Sequence, residues 1–64
     1  MEKMSLKALR VNMKMTQEEA SKKLDISQKT LSNWENGATF PDQQAIEKIC
    51  ELYGVAYDRI NFAV

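Results

Sequence analysis

Gln28, Lys29, Ser32, Asn33 and Asn36 are the side chains whose types and spacing point most clearly to chemistry. At about 100° per helical residue, with Gln28 at zero, Ser32, Asn36, Lys29 and Asn33 fall at roughly 40°, 80°, 100° and 140°. Thr30, Trp34 and Leu31 fall at roughly 200°, 240° and 300° on the same wheel. One flank is therefore wholly polar and the other mostly apolar. The polar flank offers amides, a hydroxyl and an amine, with no carboxylate. Gln and Asn can pair with an adenine edge in two places at once, and Lys can donate to guanine O6 and N7. The same flank also fits an ordinary solvated helix face, so both readings stay open on these residues alone.

Other chemistries have little to work with. The chain has no His, which removes the usual general base and the commonest metal ligand. A single Cys supports neither an internal disulfide nor a zinc site. No nucleophile–base pair, Gly-rich phosphate loop or metal cluster is visible, so an enzyme is not expected, nor is a cofactor or metal. The cysteine usage fits a reduced, cytoplasmic setting. No apolar run approaches the ~20 residues of a membrane span, and Met1 to Met4 lacks a signal-peptide stretch.

The 64 residues predict one domain over 1–64, and 44% hydrophobic content is enough for a folded core. Nine basic and nine acidic residues balance. Bulk charge therefore cannot hold this chain to nucleic acid or anionic lipid. Residues 1–37 carry +2 and residues 38–64 carry −2.

Helical spacing dominates, and strand signals are poor. Leu6, Leu9 and Met13 share a face of a first helix that should end near Lys14. Thr16 with Glu19 makes a capping box for a second, with Ala20 and Leu24 inward. Ser27 caps the third, and Ile26 with Leu31 is placed for a hydrophobic staple. Asp42, after Pro41, caps the fourth, whose stripe is Ala45, Ile46, Ile49, Cys50 and Tyr53. Gly54 suits its left-handed close. Tyr57 and Ile60 are expected in a short fifth helix. Trp34 faces the core on the wheel, and Cys50 reads as a buried thiol.

Only Asp25 and its neighbours join the second and third helices. So short a joint forces a steep crossing, the geometry that presents a second helix to a DNA major groove.

Thr16-Gln17-Glu18-Glu19, Leu24-Asp25-Ile26-Ser27 and Leu31-Ser32-Asn33-Trp34-Glu35-Asn36-Gly37 together resemble the Cro/CI-type helix-turn-helix family of phage and bacterial regulators. Pro41 and Gly54-Val55 fit the rest of that pattern, and the likeness covers residues 5–60. The resemblance implies an all-α, compact five-helix, lambda-repressor-like domain with the third helix as recognition helix. By position it implies that Gln17 touches a backbone phosphate. Gln28, Lys29, Ser32 and Asn33 would face bases, and Asn36 and the loop through Thr39 would meet a second phosphate. Arg10 and Glu35 match a pair that bridges helices 1 and 3 in some relatives; two separate surface charges are the alternative.

Departures from the pattern bear on stability. Asp25 stands where Gly is frequent, but Asp tolerates the left-handed region. Ser21 replaces Ala against the recognition helix and its hydroxyl needs a partner. Lys14 stands where Gly often ends the first helix. Ala56 stands where a capping Ser or Thr is frequent, at a cost of about 1 kcal/mol.

The partner implied is double-stranded DNA, as a palindromic operator bound by a homodimer whose half-sites lie about one helical turn apart. The expected role is a transcriptional regulator, a repressor of the small phage or mobile-element kind. A protein-interaction module or an antitoxin on the same fold is the competing reading, favoured by the neutral charge. The apolar tail Ile60-Asn61-Phe62-Ala63-Val64 fits either a subunit interface or a segment folded back onto the core.

Overall fold

The computed structural model describes residues 3–62. Strand β1 (Met4–Ser5) leads into helices α1 (Leu6–Asn12), α2 (Gln17–Leu24), α3 (Gln28–Asn36) and α4 (Gln43–Tyr53). A 3₁₀ turn (Tyr57–Arg59) and strand β2 (Ile60–Asn61) follow.

Each helix starts where a side chain can accept a free backbone N–H. Ser5 accepts from the Ala8 N–H at 3.1 Å. Thr16 and Glu19 exchange bonds of 3.0 and 3.1 Å, completing the capping box. Ser27 accepts from Thr30 N–H at 3.1 Å and Asp42 from Ala45 N–H at 2.8 Å. The ends share a second device, a left-handed residue just past the helix. Lys14 (φ 59°), Asp25 (φ 59°), Gly37 (φ 77°) and Gly54 (φ 66°) fill those positions. After α2, Asp25 N–H bonds the Lys22 carbonyl and Ile26 N–H bonds the Ser21 carbonyl. That paired closure turns the chain within three residues and sets α3 across α2.

The amphipathic faces meet in one core of Leu6, Leu9, Ala20, Leu24, Leu31, Trp34, Ile49, Tyr53 and Ile60. Leu31 and Ile49 are its largest fully enclosed side chains. Burying a side chain of that size contributes about 1.5–3 kcal/mol. Ser21 is buried, and its hydroxyl donates to the Glu18 carbonyl at 2.9 Å, which supplies the partner it needs.

Five helices were expected; four α-helices are present among the described residues. The fifth segment is a three-residue 3₁₀ turn. Ala56 before it provides no side-chain cap, and the chain runs on as an extended strand. That strand pairs in parallel with β1, Met4 beside Ile60 and Ser5 beside Asn61. The fold is thus mostly helical rather than purely so. The first helix stops at Asn12, because the left-handed Lys14 draws the chain away early. Met13 consequently lies outside the core at 46% exposure, not on the inner face. Cys50 is half-buried rather than enclosed. Of the tail, Ile60 is core and Phe62 packs against it, its ring 5.8 Å from that of Tyr57. Ala63 and Val64 lie outside the described residues.

Candidate nucleic-acid interface

The candidate interface is assembled on α3 and on the N-terminal end of α2. Leu31 and Trp34 turn inward, so the wheel fixes what turns outward. Gln28, Lys29 and Asn36 are exposed, and Ser32 and Asn33 are half-buried beside them. Asn36 Nδ2 donates to Ser32 Oγ at 3.4 Å, a long bond that leaves most of the flank's capacity unspent. No acidic side chain stands within this flank. Leu31 and Trp34 underneath seat it on the core.

Thr39 is exposed on the loop after α3. The Asn33 carbonyl accepts from Ala38 N–H at 2.9 Å and from Thr39 N–H at 3.4 Å. Buried Pro41 anchors the far end of the loop. Phe40 between them is 64% exposed, and the sequence reading did not single it out. An apolar side chain flanked by two anchors could have signalled it.

At the α2 end, the capping box uses the Glu19 N–H. The N–H groups of Gln17 and Glu18 have no intrahelical partner by the rule for first turns. The backbone N–H of Thr16 holds the Glu19 carboxyl below its ordinary range, with the Thr16 hydroxyl adding to the effect. Glu18 reaches Lys22 at 3.5 Å, an exposed pair of small worth.

Arg10 and Glu35 meet behind this surface. Arg10 Nε lies 2.8 Å from Glu35 Oε2, and Nη2 lies 3.2 Å from Oε1. Arg10 Nη1 also donates to the Met15 carbonyl at 2.8 Å. The two side chains are 10% and 2% exposed, so this is a buried, two-pronged ion pair between α1 and α3. Hydrogen bonding to Glu35 raises the Arg10 pKa above its ordinary value, against an opposing effect of burial.

Gln17 belongs to the same group, which sequence spacing could not reveal. Its Nε2 donates to Glu35 Oε1 at 3.0 Å across 18 positions of chain. The structure thus gathers Gln17, Glu35 and Arg10 at one place and Gln28, Lys29, Ser32, Asn33 and Asn36 on another flank. Thr39 is tied to the second group through its N–H on the Asn33 carbonyl.

This geometry, two capped helices crossed over a three-residue joint with the second bearing a free polar flank, has a counterpart among known families. Residues 6–60 match the model of the helix-turn-helix family, in its Cro/CI-type form. The chain belongs to the Cro/CI-type helix-turn-helix family. Among curated proteins it is similar to the HTH-type transcriptional activator BcrR of Enterococcus faecalis, 29% identical over 55 residues. The match covers 86% of this chain and 27% of BcrR, so the chain spans about a quarter of that relative's length. No solved structure matches. For a Cro/CI-type chain, α2 and α3 are the helix-turn-helix proper. Among the described residues, no helix is long and apolar enough to cross a membrane.

Proposed function

We propose that this chain is a sequence-specific, double-stranded-DNA-binding transcriptional regulator that reads the major groove with α3. The observation that carries this reading is the outward flank of α3, with its amide, hydroxyl and amine groups and no carboxylate. Gln28, Lys29 and Asn33 set base choice, with Ser32 beside them. Asn36 and Thr39 meet one phosphate. Gln17 and the free N–H groups at the start of α2 meet another, where the positive end of the helix dipole favours an anion.

A protein of zero net charge gains little from counterion release, so non-specific affinity is weak and the salt dependence shallow. Specific affinity then comes from two copies on a palindromic operator, with half-sites about 34 Å apart. The cytoplasmic setting expected from the sequence fits this role. Repression, of the small phage or mobile-element kind, is the mode we favour; the similarity to a protein named as an activator keeps the opposite sign of regulation as an outcome to be measured.

The test is selection of bound sites from a random duplex library at low and moderate salt. The expected result is an enriched two-fold-symmetric site with half-sites one turn apart. A protein that enriches no sequence at either salt sinks the reading.

One feature favours a second reading, a protein-interaction or antitoxin module on the same fold. An open, mostly apolar groove of about 580 Å³ is lined by Gln43, Ile46, Glu47, Cys50 and Tyr57. It lies on α4 and the 3₁₀ turn, away from the residues of α3. A chain that enriches no duplex but remains folded points to that module instead.

A further inference from the structure

We propose that Glu35 is a positioning residue for DNA binding: its buried carboxylate aims the Gln17 amide, so that the phosphate contact of Gln17 exists only while Glu35 holds it. This rests on the DNA-binding reading above. Glu35 sits on the inward side of α3 and is only 6% exposed. Its carboxylate receives two nitrogens of Arg10 from α1 and Nε2 of Gln17 from the first turn of α2. One side chain of the recognition helix therefore binds the two helices that precede it.

The chemistry of the acceptor decides which way Gln17 points. A carboxylate bonded to Arg is ionised and can only accept. The atom facing it must be the amide nitrogen, not the amide oxygen. Without that constraint the amide rotates freely and offers oxygen as readily as nitrogen to a neighbour. A phosphate also only accepts, so it must approach Gln17 on the nitrogen side of the amide. With Nε2 held by Glu35, one N–H is used inward and the second stays on the nitrogen that the phosphate requires. It adds to the backbone N–H groups of Gln17 and Glu18 at the same helix end. The ordering is done before DNA arrives, which lowers the entropy lost on binding. Because Glu35 moves with α3, the link also fixes the phosphate contact relative to the base-reading flank.

The experiment is a mutant cycle on affinity for the duplex selected from the random library. The four proteins are wild type, Gln17→Ala, the double variant R10M/E35L, and the three substitutions combined. R10M/E35L removes both charges together, which avoids stranding a buried Arg, and circular dichroism confirms that each protein is folded. Gln17→Ala is expected to weaken binding about fivefold in wild type and less than about twofold in R10M/E35L, the signature of coupled residues. Equal losses in both backgrounds overturn the proposal, as does no loss in wild type, while wild-type binding keeps the DNA reading intact. Failure of wild type itself to bind any duplex removes both. A second readout does not depend on the variants folding. The side-chain amide protons of Gln17 in the free wild-type protein should show a hydrogen-bonded NMR shift and slow exchange. Shifts of a freely exposed glutamine overturn the proposal.

Discussion

Along α3 the inward flank carries Leu31, Trp34 and Glu35, and the outward flank carries Gln28, Lys29, Ser32, Asn33 and Asn36. Both flanks contain polar groups capable of several hydrogen bonds. Inward, Glu35 is fully engaged by Arg10 and Gln17. Outward, the one side-chain bond within the set is the 3.4 Å contact of Asn36 to Ser32. A polar group shut away from water must find its partners inside the protein, whereas an exposed one can leave them to solvent or to a ligand. The two flanks therefore divide the labour of a single nine-residue helix, one holding the architecture and the other free for recognition. Substitutions on the first should change stability, with Glu35 also acting on binding through Gln17, and those on the second should change binding with little effect on stability.

The largest effect is expected at Glu35. Glu35→Gln leaves the buried Arg10 guanidinium without its counter-charge and should cost about 3–5 kcal/mol, read as a lower urea midpoint. A loss under about 1 kcal/mol would mean that the pair is not buried as described. Next is Asn33→Ala on the opposite flank. It should weaken binding to the selected duplex by about 1–3 kcal/mol and relax one base position. Its stability should move by no more than about 0.5 kcal/mol. A stability loss like that of Glu35→Gln would break the division between the flanks.

A smaller effect is expected at a site on neither flank. Lys14 holds a left-handed backbone, which costs an L-residue about 1–2 kcal/mol. Lys14→Gly relieves that cost but loses more chain entropy on folding, for a net gain of about 0.5–1 kcal/mol in thermal melts. Duplex affinity should not change.

The smallest concerns Tyr53, whose hydroxyl is buried with no hydrogen-bond partner among the described residues. Burial, with the nearby Glu35 charge adding to it, pushes the Tyr53 pKa up from 10.0 to about 12. The folded form thus resists ionisation that the unfolded chain accepts. Stability from this group is intact below pH 10 and falls as pH rises from 10 towards 12. Tyr53→Phe should match or slightly exceed wild type at pH 8 and show a weaker decline in melting temperature across that alkaline window. Parallel curves for the two proteins would place the hydroxyl in contact with water.

Much of this arrangement is legible in the sequence because local rules act within a few residues. The Thr16–Glu19 capping box, Ser27, Asp42 and the left-handed Asp25 each depend on neighbours no more than three positions away. The inward turn of Leu31 and Trp34 follows from helical period alone. The departures come from contacts with no local signal. Two-residue strands have no alternation to detect, and Ile60 is drawn into one by Met4, far away in sequence but beside it in the fold. Met13 fits an inward stripe by period, but that period ends once Lys14 terminates the helix. At the candidate site, the polar flank can be read from residue types. The bond from Gln17 to Glu35 depends on how α2 crosses α3, which no spacing rule fixes.

The parallel β1–β2 ladder closes the longest loop in the molecule, with all four helices lying between its two strands. Helix–helix contacts join segments much nearer in sequence and can form early, so the ladder is the contact whose closure entropy is largest. It should zip last during folding and open first in the native state, and its amides should exchange with deuterium ahead of those in α2 and α3. Loosening at this seam would then leave the crossed helices standing.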